Sequence, residues 1–345
     1  MTRHTPASVC RRFLFRLGIL GRHDNRFVRD LQRAARELDV ESTILEFSLL
    51  KTSLLPLPSQ QIQPCSHAGL GPGGLRQSVE LSACGVSASD SNQDNYNAIL
   101  VRSMPLGSLE QVIFRMDVLH VWQAQGCAIL NSPRCLEASI DKWLTLHRLH
   151  LAGVNVPPTV SCQDRHQAMA AFDLLGRDVL VKPLFGGEGR GIIRLQNRDL
   201  AWRTFSTLQQ LGQVLYLQMF VPNFGYDVRV LVVGNEMWSI RRRAMQGEFR
   251  TNVSQGGKAE PHLLTEAQRE MAVSCASAVG GAVVGVDILP ALNGQCYALE
   301  VNAVPGWKAL AECLNIDVAN RIVRFAMQKA VHAQACAETS SSGAN

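Results

Sequence analysis

The distribution of apolar residues predicts alternating strands and helices along most of the chain. The apolar run Phe13–Leu20 ends at Gly21 and predicts a buried strand. Apolar residues then recur at helical spacing from about Asn25 to Leu38, and the next apolar run, Ser42–Leu50, predicts a second strand. Strand, helix and strand in this order are typical of a βαβ unit.

The same patterns predict further elements beyond residue 97. The predicted strands are Ala98–Arg102, Ala128–Leu130, Asp178–Pro183, Gly191–Leu195, Leu215–Val221, Asp227–Val233, Glu236–Arg243, Gly285–Leu289 and Gln295–Val301. The predicted helices are Leu109–Gln125, Glu137–Ala152, Ala201–Gln210, Thr265–Val279 and Asp317–Ala333. This mixture predicts an α/β (α+β) fold class.

The stretch from Leu55 to Asp94 is rich in Pro, Gly, Ser and Gln and has little periodicity, so we expect a flexible insertion or a long surface loop. It contains Gly71-Pro72-Gly73-Gly74, but no strand precedes these residues and no Lys-Ser/Thr follows, which favours a loop over a phosphate site. The predicted organisation is a tail (1–12), an α/β domain (13–136, insertion at about 55–95), a second domain (137–333) and a disordered tail (334–345).

Composition narrows the class of protein. The 345 residues are 46% hydrophobic and 18% charged, which is typical of a globular protein of two or three modules. The net charge of +5 is spread along the chain, and ten cysteines form no CxxC pair, which favours reduced thiols over a disulfide frame or a zinc site. Arg16 interrupts the N-terminal apolar run, so we expect no signal peptide. We therefore expect a cytoplasmic protein that binds neither nucleic acid nor a membrane.

The first chemical motif joins a lysine to glycines. Lys182 lies in the apolar run Val179–Pro183, where a buried ammonium needs an anion. The segment Gly186–Gly191 follows, and its glycines allow backbone N–H groups to approach phosphate oxygens closely. The lysine precedes the glycines, unlike the order in a Walker loop. A plain hairpin turn remains the alternative.

A second motif places oxygen-bearing side chains on two apolar strands. Glu300 and Asn302 share one face of their strand because side chains alternate with period two, and Asp287 lies in the preceding strand. Oxygen ligands that converge in this way suit Mg²⁺. The alternative is a surface hairpin, which the apolar neighbours Val286 and Val301 disfavour.

Arginines cluster between these two motifs. They include Arg229, the run Arg241–Arg243, and Arg250, which is followed by Thr251 and Asn252. Arginines on strands can hold phosphate or carboxylate oxygens bidentately, whereas single surface arginines are usually only solvated. Beside a lysine strand and a metal site, the set favours a cleft that handles phosphate.

On these residues the chain resembles the RimK-like branch of the ATP-grasp superfamily. The segments that carry the resemblance, in family order, are Gln218–Pro222, Asp227–Gly234, Phe249–Val253, Gly256–Pro261, Glu300–Asn302 and Pro305–Trp307. The resemblance extends from about Asp141 to Lys308. It implies an ATP-grasp fold preceded by a Rossmann-like pre-ATP-grasp domain. It also implies an ATP-dependent carboxylate–amine ligase that forms an acyl phosphate and releases ADP.

The resemblance also implies residue roles. The implied nucleotide-binding residues are Lys142, Lys182, Gly186, Gly187, Glu188, Gly189, Gly191, Met219, Phe220, Asp227, Arg250, Thr251 and Asn252. The implied catalytic residues are Lys182, Arg229, Arg242 and Arg243, and the implied ligands of two Mg²⁺ or Mn²⁺ ions are Asp287, Glu300 and Asn302. Met219 and Phe220 fall at the adenine hinge and Asp227 at the ribose position. Met219 departs from the family, which usually has an acidic residue there.

The segment Arg102–Asp117 is more similar to the tetrahydromethanopterin:α-L-glutamate ligases than to enzymes that glutamylate a ribosomal protein. The resemblance therefore implies ATP, L-glutamate and a carboxylate acceptor as partners, with a small-molecule acceptor favoured over a protein. Glutamylation of a peptide or ribosomal protein is one alternative. A nucleotide-binding regulatory protein without turnover is another, and the sequence leaves open whether the chain forms a homo-oligomer.

Overall fold

The computed structural model describes residues 15–56, 75–81, 96–187, 189–245, 251 and 257–342. The chain divides into two compact units. An N-terminal unit ends at Ile129 and also takes in residues from Val323 onward, and a central unit spans Leu130–Ile322. The domain boundaries expected from the sequence stay predictions.

The N-terminal unit contains a four-stranded sheet. Its elements in chain order begin with β1 (Arg16–Leu20), α1 (Arg26–Glu37), β2 (Glu41–Leu45), β3 (Leu50–Pro56), β4 (Leu75–Leu81), β5 (Ala98–Val101), α2 (Leu109–Ala124) and β6 (Ala128–Leu130). The sheet order is β2-β1-β5-β6, and β1 pairs in parallel with both β2 and β5. Because α1 connects two adjacent parallel strands, the predicted βαβ unit is confirmed.

The region after β2 differs from the prediction. The strand expected at Ser42–Leu50 ends at Leu45, and a short 3-10 helix (Phe47–Leu49) follows. Strand β3 then pairs antiparallel with β4, so the predicted loop is wrong for these two segments. The glycine cluster that ends at Gly74 lies outside the described residues.

The central unit carries most of the remaining elements. They are α3 (Pro133–Ile140), α4 (Lys142–Leu151), β7 (Thr159–Cys162), α5 (Arg165–Leu174), β8 (Val179–Lys182), β9 (Ile193–Leu195), α6 (Arg198–Gln210), β10 (Leu215–Met219), β11 (Tyr226–Val233), β12 (Glu236–Arg243), β13 (Lys258–Pro261), α7 (Glu266–Val279), β14 (Val283–Pro290), β15 (Cys296–Asn302), α8 (Lys308–Leu314) and α9 (Val318–Ser342). The sequence did not predict β7, α5, β13 or α8. Helix α9 continues past Ala333, so residues 334–342, predicted as a disordered tail, are helical.

The helix predicted at Glu137–Ala152 is two helices instead. Asp141 separates α3 from α4, and its Oδ1 accepts hydrogen bonds from the backbone N–H groups of Trp143 and Leu144. A carboxylate in this position satisfies N–H groups that have no partner within the helix. The break therefore places Lys142 in the first turn of a new helix.

Two sheets of the central unit position the candidate site. One has the order β7-β10-β8-β9, and the other has the order β13-β12-β11-β14-β15 with every adjacent pair antiparallel. Helices α5 and α6 supply Phe172 and Phe205 to a buried core against the first sheet. In the part of the chain that the structure describes, no helix combines the length and apolarity needed to cross a membrane.

Candidate active site

Two lysines meet beside the loop that follows β8. Lys142 begins α4, and its Nζ donates to the carbonyl oxygens of Gly186 (2.6 Å) and Leu184 (3.4 Å). Lys182 ends β8, and its Nζ donates to Oε1 of Gln218 at 2.6 Å. Burial lowers the pKa of Lys182 to about 8; Glu300 acts against this shift, and the nearby charge of Lys142 adds to it. Burial also lowers the pKa of Lys142.

The glycine loop has a backbone that favours glycine. Gly186, Gly189 and Gly191 have φ angles of 112°, 70° and 73°. These angles lie in a region that residues with a Cβ rarely adopt. The loop connects β8 and β9, which pair antiparallel, so it does form a hairpin connection. Lys142 ties this hairpin to α4, whereas the predicted nucleotide contact Glu188 lies outside the described residues.

Two carboxylates face each other across β14 and β15. Asp287 and Glu300 are register partners, and Asp287 is 4% exposed. Burial raises the pKa of Glu300, Asp287 raises it further, and Arg229, Lys182 and Lys142 act in the opposite direction. Burial also opposes the charge on Asp287, but Arg229 and Arg242 together lower its pKa. The two lysines and the two carboxylates therefore form one electrostatic cluster.

Two arginines hold Asp287 from the neighbouring strands. Nη2 of Arg229, on β11, donates to Oδ2 of Asp287 at 2.9 Å and lies 4.0 Å from Oε1 of Glu300. Nη2 of Arg242, on β12, lies 2.9 Å from the same Oδ2. Arg242 also donates from Nε and Nη2 to Asp227 at 2.7 and 2.6 Å. Burial opposes its charge, but Asp287 and Asp227 raise its pKa above the usual value.

Both carboxylate oxygens of Asp227 accept hydrogen bonds from protein groups. The residue is 3% exposed, and besides the bidentate pair with Arg242 it accepts a hydrogen bond from Oγ1 of Thr251. Its predicted contact with ribose hydroxyls stays a prediction, since both of its oxygens already have partners within the sheet. Of the run predicted as nucleotide contacts, Thr251 is described, and Arg250 and Asn252 lie outside the described residues.

The structure does not bring Arg243 to this cluster. Side chains alternate along β12, so Arg241 and Arg243 occupy the face opposite Arg242. There Nε of Arg243 lies 3.9 Å from Oε1 of Glu260, and the guanidinium lies 5.6 Å from the centre of the Tyr226 ring. Its side chain is 43% exposed. The catalytic role expected for Arg243 therefore has no geometric support.

The predicted adenine hinge begins at Met219, the last residue of β10. The backbone N–H of Met219 donates to the carbonyl oxygen of Pro158, and that of Phe220 donates to the carbonyl oxygen of Asp178, both at 2.9 Å. Arg194 lies 3.5 Å from the centre of the Phe220 ring and forms a bidentate pair with Asp178. This stacking fixes Phe220 where the chain leaves the strand.

The oxygen ligands fit a hard divalent cation. Asp287, Glu300 and Asn302 come from adjacent strands, and Oδ1 of Asn302 is oriented by the backbone N–H of Val304 at 2.8 Å. Among the residues that the structure describes, no group of three or more His, Cys, Asp and Glu side chains could hold a metal ion, so a metal here needs an amide oxygen beside two carboxylates. Burial and the adjacent charge of Asp287 both raise the pKa of Glu300, and a bound Mg²⁺ would neutralise the negative charge of this pair.

Three residues of the site were not expected from the sequence. Gln218 holds Lys182, Asn131 binds the backbone at the start of β14, and Gly285 makes room for Arg229. One local feature of the sequence could have indicated Gln218: it is a polar residue inside the apolar run Leu215–Val221.

Comparison with known proteins connects this geometry to a family. The profile of the RimK-like ATP-grasp domain matches residues 139–326, more than half of the 345 residues. The chain belongs to the RimK-like ATP-grasp family. This membership confirms the ATP-grasp fold and the ATP-dependent ligase class expected from the sequence. The roles of individual residues stay predictions.

Relatives of this RimK-like chain are named as glutamate ligases. It is 31% identical over 258 residues to the tetrahydromethanopterin:α-L-glutamate ligase of Methanosarcina acetivorans, covering 66% of this chain and 79% of that protein. It is 32% identical over 231 residues to a probable α-L-glutamate ligase of Pasteurella multocida, covering 66% and 72%. The ATP-grasp ligase PsnB, solved with a minimal precursor, Mg and ADP, has a TM-score of 0.66 and 20% identity over 91% of this chain and 98% of PsnB. This last likeness shows the shared fold.

Proposed function

We propose that this ATP-grasp ligase binds ATP and Mg²⁺ at the cluster described above and joins L-glutamate to the carboxylate of an acceptor. One observation carries the proposal. Lys182 of the first sheet and Lys142 of α4 both act to lower the pKa of Glu300, which lies on the second sheet. Cations that suit phosphate and carboxylates that suit Mg²⁺ therefore belong to one site.

The lysines and the glycine loop provide the phosphate end of the site. Lys142 and Lys182 present partly buried positive charge, which stabilises phosphate oxygens more strongly than a fully exposed charge does. The backbone N–H groups of a glycine loop add donors that no side chain obstructs. ATP placed here would have its adenine end toward Met219 and Phe220.

The second sheet provides the metal and acyl end. Asp287, Glu300 and Asn302 would hold Mg²⁺, which when bound supplies positive charge to the phosphate oxygens. Arg242 donates to Asp227 and contacts Asp287, so we assign it to holding these carboxylates in place. Arg229 contacts Asp287 alone at hydrogen-bonding distance and is the arginine assigned to substrate oxygens.

The proposed reaction has two steps. An oxygen of the acceptor carboxylate attacks the γ-phosphorus of ATP, the bond to the β,γ-bridging oxygen breaks, and ADP leaves with that electron pair. The amine of glutamate then attacks the carbon of the acyl phosphate. Phosphate leaves with the acceptor's oxygen, and the amine loses a proton to solvent. Lys182, Lys142 and Arg229 stabilise the oxygens that gain charge, and the scheme requires no covalent enzyme nucleophile.

The acceptor is proposed to be a small molecule with a pterin-type cofactor structure. Support comes from the name of the M. acetivorans relative, with which the chain shares 31% identity. A peptide or ribosomal-protein acceptor would use the same ATP site. A regulatory protein would bind nucleotide and show no turnover.

An acceptor panel tests the proposal. Purified protein is given Mg²⁺-ATP, L-glutamate and, in turn, pterin, peptide and amino-acid carboxylates, and release of ADP and phosphate is measured. We expect ADP formation that needs both glutamate and a pterin-type carboxylate and that Lys182→Ala abolishes. Turnover only with peptides would overturn the proposal of a pterin-type acceptor. ATP binding without ADP formation for any acceptor would favour a nucleotide-binding regulatory protein.

A further inference from the structure

Gln218 is a neutral amide buried in the middle of the first sheet of the central unit. It lies on β10 between its register partners Thr159 of β7 and Leu180 of β8, and it is 1% exposed. A buried amide destabilises the fold unless its donors and acceptor are hydrogen-bonded. The partners of this amide therefore indicate what it does.

The orientation of the amide is fixed by a chain of hydrogen bonds. Oγ1 of Thr159 donates to the carbonyl oxygen of Pro157 at 2.8 Å. Because a hydroxyl has one proton, Thr159 can only accept from Gln218, whose Nε2 donates to it at 3.1 Å. Nε2 also lies 3.4 Å from the hydroxyl of Tyr216. The amide nitrogen therefore faces β7, and the amide oxygen must face the other way.

The amide oxygen meets the ammonium group of Lys182. Nζ of Lys182 donates to Oε1 of Gln218 at 2.6 Å. An ammonium has three donors, so this bond leaves two for phosphate oxygens. A lysine side chain has four rotatable bonds, and fixing its end before the ligand arrives removes part of the entropy lost on binding. The backbone carbonyl of Pro157 thus determines, through two side chains, where this ammonium lies.

We propose that Gln218 and Thr159 are positioning residues that hold the Lys182 ammonium for the phosphates of the nucleotide. The inference rests on the proposed function, since it needs ATP at this site. It adds two residues that contact no phosphate themselves and act through Lys182. The competing explanation is that the pair only satisfies hydrogen bonds in the core, and it predicts lower stability without any preference for phosphate.

A comparison of two ligands separates these explanations. Dissociation constants for ATP and for adenosine are measured by calorimetry on the full chain, with far-UV circular dichroism as a check of folding. Gln218→Leu should raise the dissociation constant for ATP several-fold, up to about tenfold, the size expected when a long side chain becomes ordered only on binding. The dissociation constant for adenosine, which lacks phosphate, should change by less than about twofold.

The Thr159 variants provide the matched comparison. Thr159→Val removes the hydroxyl and should weaken the binding of ATP but not that of adenosine. Thr159→Ser keeps the hydroxyl and should bind ATP with wild-type affinity. Ser161→Ala removes a hydroxyl from the same strand whose oxygen has no hydrogen-bond partner among the described residues, and it should leave ATP affinity unchanged. If Gln218→Leu does not fold, the Thr159 pair decides the question.

The outcomes distinguish this inference from the proposed function. The positioning role would be overturned if Gln218→Leu and Thr159→Val weakened the binding of ATP and adenosine equally, or if they left ATP affinity unchanged. In either case, turnover by the wild-type protein would still support the ligase. If the wild-type protein bound no ATP, the proposed function itself would fail, and the positioning role with it.

Discussion

Gly285→Ala is expected to lower the activity of the enzyme by displacing Arg229. A Cβ at position 285 would lie 2.6 Å from Nη1 of Arg229 and 3.1 Å from Cβ of Pro305. The backbone tolerates alanine, since the φ angle of Gly285 is not positive, so the effect of the substitution is steric. Gly285 and Asp287 lie on the same face of β14, which brings the new methyl group directly under the guanidinium.

The displacement can be worked from these distances. Ordinary van der Waals contact begins at 3.4 Å, so Nη1 must retreat by about 0.8 Å. A movement of that size along the bond would lengthen the 2.9 Å distance between Nη2 of Arg229 and Asp287 to about 3.7 Å, which is beyond hydrogen-bonding range. Hydrogen bonds to charged groups contribute about 1.5–3 kcal/mol, so kcat/KM should fall by about 10- to 150-fold.

A double-mutant cycle assigns the effect to Arg229. ADP release is measured for wild type, Gly285→Ala, Arg229→Lys and the double variant. Lysine lacks the Nη1 atom that collides with the new methyl group. In the Arg229→Lys background, Gly285→Ala should therefore lower kcat/KM by less than about threefold. An equal loss in both backgrounds, or full activity of Gly285→Ala, would refute the reasoning.

Asn131→Ala should lower the free energy of unfolding by about 2–4 kcal/mol, because the buried side chain makes four hydrogen bonds to backbone groups. In the same urea titration, substitution of the exposed residue in Asn293→Ala should lower it by less than about 1 kcal/mol. Burial lowers the pKa of Lys182 to about 8, so its charge is present below that pH and lost above it. ATP affinity should fall by up to about tenfold per pH unit above pH 8, and Lys182→Arg, which stays charged, should abolish this dependence in calorimetry. Arg242→Ala removes the cation that pairs with buried Asp227 and contacts buried Asp287, and it should reduce ADP release at least about 100-fold. Arg243→Ala should stay within about twofold of wild type, and similar rates for the two variants would contradict the assigned faces.

The sequence contained the information needed to choose between Arg242 and Arg243. Strands β11 and β12 are joined by the two residues Gly234 and Asn235, and a hairpin turn of this length fixes the strand register. Counting back from the turn pairs Asp227 with Arg242. Strand alternation then places Arg243 on the other face. The length of the turn and the alternation of side chains together therefore distinguish Arg242 from Arg243.

Other features were present as weaker local signals. The segment Leu75–Leu81 has polar residues at alternate positions, Arg76, Ser78 and Glu80, which is typical of a strand, although Gln77 interrupts the alternation. The surrounding Gly, Pro and Ser residues favour a loop, which outweighs this pattern when a strand is predicted from the sequence. Asp141 is a favourable helix N-cap residue, but apolar periodicity continues on both sides of it, so one helix was predicted where two form.

The Gln218 network could not have been found from local patterns. Thr159 and Gln218 are 59 residues apart in sequence, and Lys182 lies between them. Their contact depends on the order β7-β10-β8, which periodicity does not determine. Lysine, carboxylate and glycine positions were predictable because each motif is contiguous, whereas the groups that orient them come from distant strands.

The most direct test of the central claim follows one oxygen atom. An acceptor that supports turnover is labelled with ¹⁸O in its carboxylate and incubated with the enzyme, Mg²⁺-ATP and L-glutamate, and the products are analysed by mass spectrometry. An acyl phosphate pathway predicts ADP, an amide-linked glutamyl product and phosphate that carries one ¹⁸O atom. Unlabelled phosphate, or AMP with pyrophosphate in place of ADP, would contradict the account.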